Sequence, residues 1–312
     1  MKNKFVFPQS KIMPININRL AAALFCSVLA VTLQVSPTVG ADPFRTKETR
    51  NIGDNTEAAF KAIFQEGNYQ AADSYLQKAL TSEPDEPLAY AMRASLAYSN
   101  KDFAMLETYS QKTLETAEKL IPTDTLRGHL YAAVGHFLSG AVILSREGTV
   151  NGAPQAMSKL RQVYENLDKA EAVSPQDSEL NLIKGYMDLM LAVNLPFANP
   201  TQAIERLEKN ASPQYLVDRG IAIAYRDLKQ YPKALEYANR ALKVTTNNPE
   251  VYYLKAQILR AQANKEKSSQ QMREAVSNFD KALAKKTQLP SGLVRQIERE
   301  RGNADKSIAS LK

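Results

Sequence analysis

Pairs of alanines seven residues apart recur along this chain, and that spacing constrains the fold more than any other feature. Ala72 and Ala79, Ala234 and Ala241, and Ala275 and Ala282 each stand two helical turns apart on one helix face. Side chains this small let two helix axes approach closely. An aromatic residue opens the same segment in three places, at Tyr69, Phe103 and Tyr231, and a proline closes it at Pro84, Pro249 and Pro290. Gly67-Asn68-Tyr69 is followed 34 residues later by Lys101-Asp102-Phe103, and a weaker copy lies at Leu167, Ala170 and Pro175. A second set marks the preceding helices: Ala222 and Ala256 are 34 apart, with Tyr225 and Leu259 three residues after each. Gly185, between Leu182 and Leu189, fills the same slot. No alternating β pattern interrupts this period, so the chain is predicted to be all-α.

A helix–turn–helix unit of about 34 residues with these small and aromatic positions resembles the tetratricopeptide repeat (TPR), including that of exported bacterial TPR proteins. The resemblance implies a right-handed solenoid of about six helix pairs over 53–290, with a terminal capping helix and tail over 291–312, the helix over about 291–309 covering the last apolar face. The helices expected are 54–66 with 69–82, 87–99 with 102–119, and 124–147 with 154–173. Then come 178–194 with 200–210, 213–229 with 231–245, and 249–264 with 268–286. Two departures from the repeat stand out: the chain has no Trp, and the first helix of the sixth pair runs long.

Residues 1–41 read as a secretory leader. Lys2, Lys4, Lys11 and Arg19 precede the apolar stretch Leu20–Val35, and Val39-Gly40-Ala41 supplies the small residues before a cut ahead of Asp42. An apolar run of 16 residues is short for a bilayer span of about 20; retention as an anchor is the alternative. Residues 42–52 are expected to be a linker. The single Cys, Cys26, lies inside the leader after Phe25, which disfavours lipidation, and residues 42–312 hold none. That suits an oxidising compartment, the periplasm or extracellular space.

Little in the sequence announces chemistry. No two of the 12 glycines lie closer than Gly148 and Gly152, so a G-x-G dinucleotide turn is impossible. Gly135 and Gly140 have phosphate-loop spacing but are followed by Ala141 and Val142. His129 and His136 are two turns apart, about 10 Å along a helix, too far to share one metal ion; they fit a tight crossing beside the stripe Gly128, Ala132, Gly135 and Ser139. No catalytic residue, cofactor or metal site is expected.

Charge divides the chain. Residues 42–211 carry a net charge of −6 and residues 212–312 a net +9. Export and the lack of basic–aromatic interleaving argue against nucleic acid. In TPR proteins the first helix of each pair lines the concave groove. By that resemblance, Arg219, Ile223 and Arg226 of the fifth pair and Tyr253, Gln257 and Arg260 of the sixth would face a partner. Arg226 and Arg260 are one period apart and suit two carboxylates of an extended, acidic ligand. The family's clamp for C-terminal carboxylates is missing, because its positions carry Glu57, Lys61, Ala91 and Ser95. The expected function is a non-enzymatic protein- or peptide-binding scaffold in the cell envelope. The alternative is a module that binds an envelope polymer or membrane surface through its basic half.

Overall fold

The computed structural model describes residues 42–194 and 200–311; the leader read over 1–41 lies outside them. Thirteen helices and no strand make up the described residues, a TPR-like helical solenoid. Six pairs follow in chain order. They are α1 (Asp54–Phe60, continued by a wider turn over Lys61–Glu66) with α2 (Tyr69–Ser82), α3 (Pro87–Ser99) with α4 (Phe103–Leu120), and α5 (Thr125–Asn151) with α6 (Ala153–Val173). Next come α7 (Ser178–Asn194) with α8 (Pro200–Asn210), α9 (Gln214–Asp227) with α10 (Tyr231–Val244), and α11 (Pro249–Glu266) with α12 (Ser269–Leu283). A last helix, α13 (Ser291–Ser307), caps the stack.

The turn inside a pair is built the same way four times. Gly67, Lys101, Lys229 and Lys267 all take left-handed backbone, at φ between 58° and 65°. The following amide reaches back to close the preceding helix, by five residues from Asp102 to Ala97, Gln230 to Tyr225 and Ser268 to Ala263, and by six from Asn68 to Ala62, where the wider turn ends α1. Asn68, Asp102 and Ser268 then cap the second helix through their side chains. Between pairs, Asn248 caps α11 and Pro249 opens it, where a missing N–H costs nothing.

Small residues sit where helices touch. Ala72, Ala79, Ala234, Ala241, Ala275 and Ala282 are all completely buried. At Gly128 a β-carbon would lie 2.6 Å from the Ile121 backbone nitrogen, so only glycine allows α5 to pass this close to the end of α4. Helix α5 is long and apolar enough to cross a membrane by composition, but here Leu130, Tyr131 and Ala133 bury it in the protein core.

Two features depart from an open solenoid with a loose N-terminal linker. Residues 42–52 are packed rather than free: Asp42, Phe44 and Ile52 are buried, and the Phe44 ring meets Phe60 edge-on at 5.0 Å. Ser178 at the start of α7 donates to the Phe44 carbonyl at 2.6 Å, so this strap spans from the first pair to the fourth. The stack also closes on itself. Asn248 donates through Nδ2 to the Phe64 carbonyl at 3.1 Å, and the Tyr69 hydroxyl donates to Glu250 at 2.8 Å. A β-carbon on Gly67 would lie 2.7 Å from Asn248 Oδ1. The first pair therefore rests directly on the start of the sixth.

Beneath the strap lies a buried ionic network. Arg127 on α5 holds both carboxylate oxygens of Glu86, the residue capping α3, at 2.7 and 3.1 Å. Its Nε is 3.3 Å from Glu179 of α7, an ion pair without hydrogen-bond alignment. Glu179, itself fully buried, also accepts from the Tyr131 hydroxyl at 2.6 Å and pairs with Arg45 and Arg50 of the strap. Three successive first helices and the strap are thus joined through charge.

Candidate functional site

The first helices of all six pairs turn one face inward, and closure of the stack makes those faces the wall of a chamber of about 500 Å³. Phe60 of α1, Met92 of α3, Phe137 of α5, Leu182 of α7 and Leu216 of α9 line it, and Phe44 of the strap shuts one side. The wall is almost wholly apolar. Its tyrosines turn their hydroxyls away to fixed acceptors: Tyr131 to Glu179, and Tyr186 to the Leu216 carbonyl at 2.6 Å. Burial raises the Tyr131 hydroxyl well above the ordinary phenol range, and neighbouring Glu179 adds to it.

Two charged groups stand in this wall, Arg219 and Glu250, and they pair with each other. Arg219 on α9 donates through Nη2 to Glu250 of α11 at 2.6 Å, and Glu250 also accepts from Tyr69. Among the described residues the guanidinium makes no other hydrogen bond, and its side chain is 18% exposed, on the chamber. Desolvation is the largest influence and works against the charged form, but Glu250 with Tyr186 and Tyr69 together outweigh it and hold Arg219 protonated beyond the usual arginine range. Burial, then Glu250, pushes the Tyr69 hydroxyl up, so it stays a donor.

Toward the C-terminal ends of α7 and α9 the chamber opens. Met190 is 39% exposed there, and an adjoining hollow of about 190 Å³ shares Tyr186, Met190 and Ile223 with the main chamber.

The six residues expected to face a partner separate into two sets. Arg219 and Ile223 are in the chamber wall. Arg226 is held by Asp227 and by Gln257, each at 2.8 Å. Tyr253, Gln257 and Arg260 turn to the capping helix instead. The Tyr253 hydroxyl donates to Glu300 at 2.8 Å, Gln257 reaches the same carboxylate at 3.3 Å, and Arg260 pairs with it at 3.2 Å. Each of the three arginines thus has a partner within the chain: Arg219 with Glu250, Arg226 with Asp227 and Gln257, and Arg260 with Glu300. Burial pushes Glu300 up, but the Tyr253 and Gln296 hydrogen bonds and Arg260 together hold its carboxyl below the usual range. A sequence signal for part of this exists. Arg219–Glu250 and Arg226–Gln257 share a 31-residue offset, one repeat less about one turn, which places the partners side by side on successive first helices.

His129 Nδ1 is 3.0 Å from Asn166, and His136 is kept below its ordinary pKa by burial and then by Lys159. No group of three or more potential metal ligands occurs among the described residues.

Two segments, 64–86 and 249–281, match the family model of the tetratricopeptide repeat. The chain thus contains tetratricopeptide repeats, and the matched segments are the two that carry the closing contact between Tyr69 and Glu250. No curated protein matches the sequence.

Proposed function

We propose that this chain is an exported, non-enzymatic scaffold that docks a protein segment at the mouth of its central chamber. Tetratricopeptide repeats generally serve protein–protein interaction, which gives the class of function. The observation that carries the reading is the apolar trough at Phe137, Met190 and Ile223, continuous with a chamber to which every pair contributes. Partner anchors are usually large apolar side chains seated in such pockets. Because Arg226 and Arg260, the pair expected to take two carboxylates, are held by Asp227, Gln257 and Glu300 within the chain, the docking segment is apolar rather than acidic. The reading of export rests on the composition of residues 1–41 and the lack of Cys after them.

The test is capture from envelope extract with immobilised protein, comparing wild type with Met190→Asp and Ile223→Asp. Both substitutions place a charge at the mouth, and circular dichroism checks that the fold survives. Expected is loss of the captured partner in both variants and its retention by wild type in 0.5 M salt, where charge attraction beyond about 4–5 Å is screened. Capture that survives both substitutions and vanishes in salt would instead favour the basic half, residues 212–312, as the binding surface.

A further inference from the structure

The inner end of the chamber differs from its mouth, and we propose that it is a binding site for a single-chain carboxylate amphiphile, a long-chain fatty acid with its carboxylate on Arg219. The proposal goes beyond protein docking at the mouth, and neither depends on the other.

Three observations carry it. A volume of about 500 Å³ falls within the range of roughly 300–1,000 Å³ that small-molecule sites occupy. The wall from Phe60 through Met92 to Leu182 offers an acyl chain apolar contact along its length and no hydrogen-bonding competition, since the tyrosine hydroxyls there are already bound elsewhere. At the inner end stands the wall's one cation, the Arg219 guanidinium, which gives Nη2 to Glu250, also in the wall, and leaves Nε and Nη1 without a hydrogen-bond partner among the described residues. A planar fork with two donors to spare suits a carboxylate. Glu250 and Tyr69 fix its orientation from behind. A bulky two-chain lipid or a polar sugar meets neither the shape nor the chemistry.

The experiment uses the protein from Asp42 onward, refolded after delipidation, and titrates a fluorescent fatty acid displaced by palmitate, hexadecanol or butyrate. The chain contains no Trp, so the probe is read without protein interference. Palmitate should displace the probe, butyrate should not, and hexadecanol, which keeps the chain and lacks the charge, should bind at least about tenfold more weakly. Arg219→Met should reduce palmitate affinity to that of hexadecanol while leaving hexadecanol itself unchanged. Because losing Arg219 strands Glu250, a second variant, Ala91→Phe, enters the chamber from a buried position of α3, leaves both residues of the ion pair in place and should abolish binding of both ligands. Equal affinity for palmitate and hexadecanol in wild type, or palmitate binding unaffected by Ala91→Phe, overturns the assignment. Partner capture that persists in Arg219→Met separates this site from docking at the mouth.

Discussion

Replacing Arg127 with Met tests whether the ionic network under the strap governs the stability of the whole ring. The Arg127 side chain is 4% exposed and Glu86 9%. Once the guanidinium is gone, Glu179 keeps the Tyr131 hydroxyl, Arg45 and Arg50, but Glu86 keeps only the Leu88 amide. The penalty therefore falls on Glu86. Removing one partner of a buried pair costs about 3–5 kcal/mol when the remaining charge stays ionised. Protonation sets a limit on that cost. Neutralising a carboxyl of ordinary pKa 4.5 at pH 7 takes roughly 3.4 kcal/mol, at 1.36 kcal/mol per unit.

The sign then follows. Burial already raises Glu86, with Arg127 pulling it back, and the substitution raises it further. A carboxyl raised in the folded state loses stability as pH climbs from its unfolded value toward its folded one. The deficit of Arg127→Met should be about 3 kcal/mol at pH 7 and shrink to about 1.5 kcal/mol at pH 5.5, read by urea unfolding at both pH values. Adding Glu86→Gln should remove most of the pH dependence, because no carboxyl remains to titrate. For comparison, Arg146→Ala breaks a pair whose arginine is 53% exposed and should cost under about 1 kcal/mol. A deficit for Arg127→Met that is the same at both pH values, or that survives Glu86→Gln with its slope intact, would show that Glu86 is not where the energy resides.

Three further outcomes are expected. Tyr69→Phe combined with Asn248→Ala removes both side-chain hydrogen bonds of the closure, at about 1 kcal/mol for each, and with Asn248 the cap of α11, at about 1 kcal/mol more. Hydrogen exchange should then rise in α1 and α2 as well as at the start of α11, where the lost cap acts by itself; no rise in α1 and α2 would mean the stack behaves as an open array. Lys101→Gly, Lys229→Gly and Lys267→Gly relieve left-handed backbone and should each stabilise by up to about 1 kcal/mol in thermal melts, while Gly67→Ala should destabilise. Mass measurement of the exported protein should give Asp42 as its first residue; a retained leader would contradict the reading of residues 1–41.

The helices were legible because their signals are local. Asn68, Asp102 and Ser268 announce helix starts, Pro87 and Pro249 occupy first turns, and the alanines seven apart report the packed face within a single helix. The closure was not legible, because Tyr69 and Glu250 are 181 residues apart and no repeat period relates them. Residues 42–52 looked like a linker since they have no periodicity. Their burial depends on Arg45 and Arg50 meeting Asp177 and Glu179, acids that the fold gathers at the start of α7. The 34-residue period placed Arg226 and Arg260 on equivalent turns, but it carried no information about Glu300, which arrives on a capping helix outside the repeat. Charges were easy to find in the sequence, and their neutralising partners were not.

Closure also explains why the chamber has to be open or occupied. The first helices carry Phe60, Met92, Leu182 and Leu216 on their inner faces, and an open stack would leave these apolar groups in water. Bringing the first pair onto the sixth shelters them but cannot fill the space between them, because the strap contributes only Phe44 to the chamber wall. Protein interiors tolerate few voids larger than a water molecule. At about 24 cal/mol per Å³ of residual cavity, a sealed and empty space of 500 Å³ would cost on the order of 10 kcal/mol. That is comparable to the whole net stability of a typical domain. The exposed edge at Met190 lets solvent relieve part of this cost, and an apolar occupant would relieve more. Any molecule that fills the chamber therefore stabilises the same closed ring that forms it, and binding and closure are linked through one free energy.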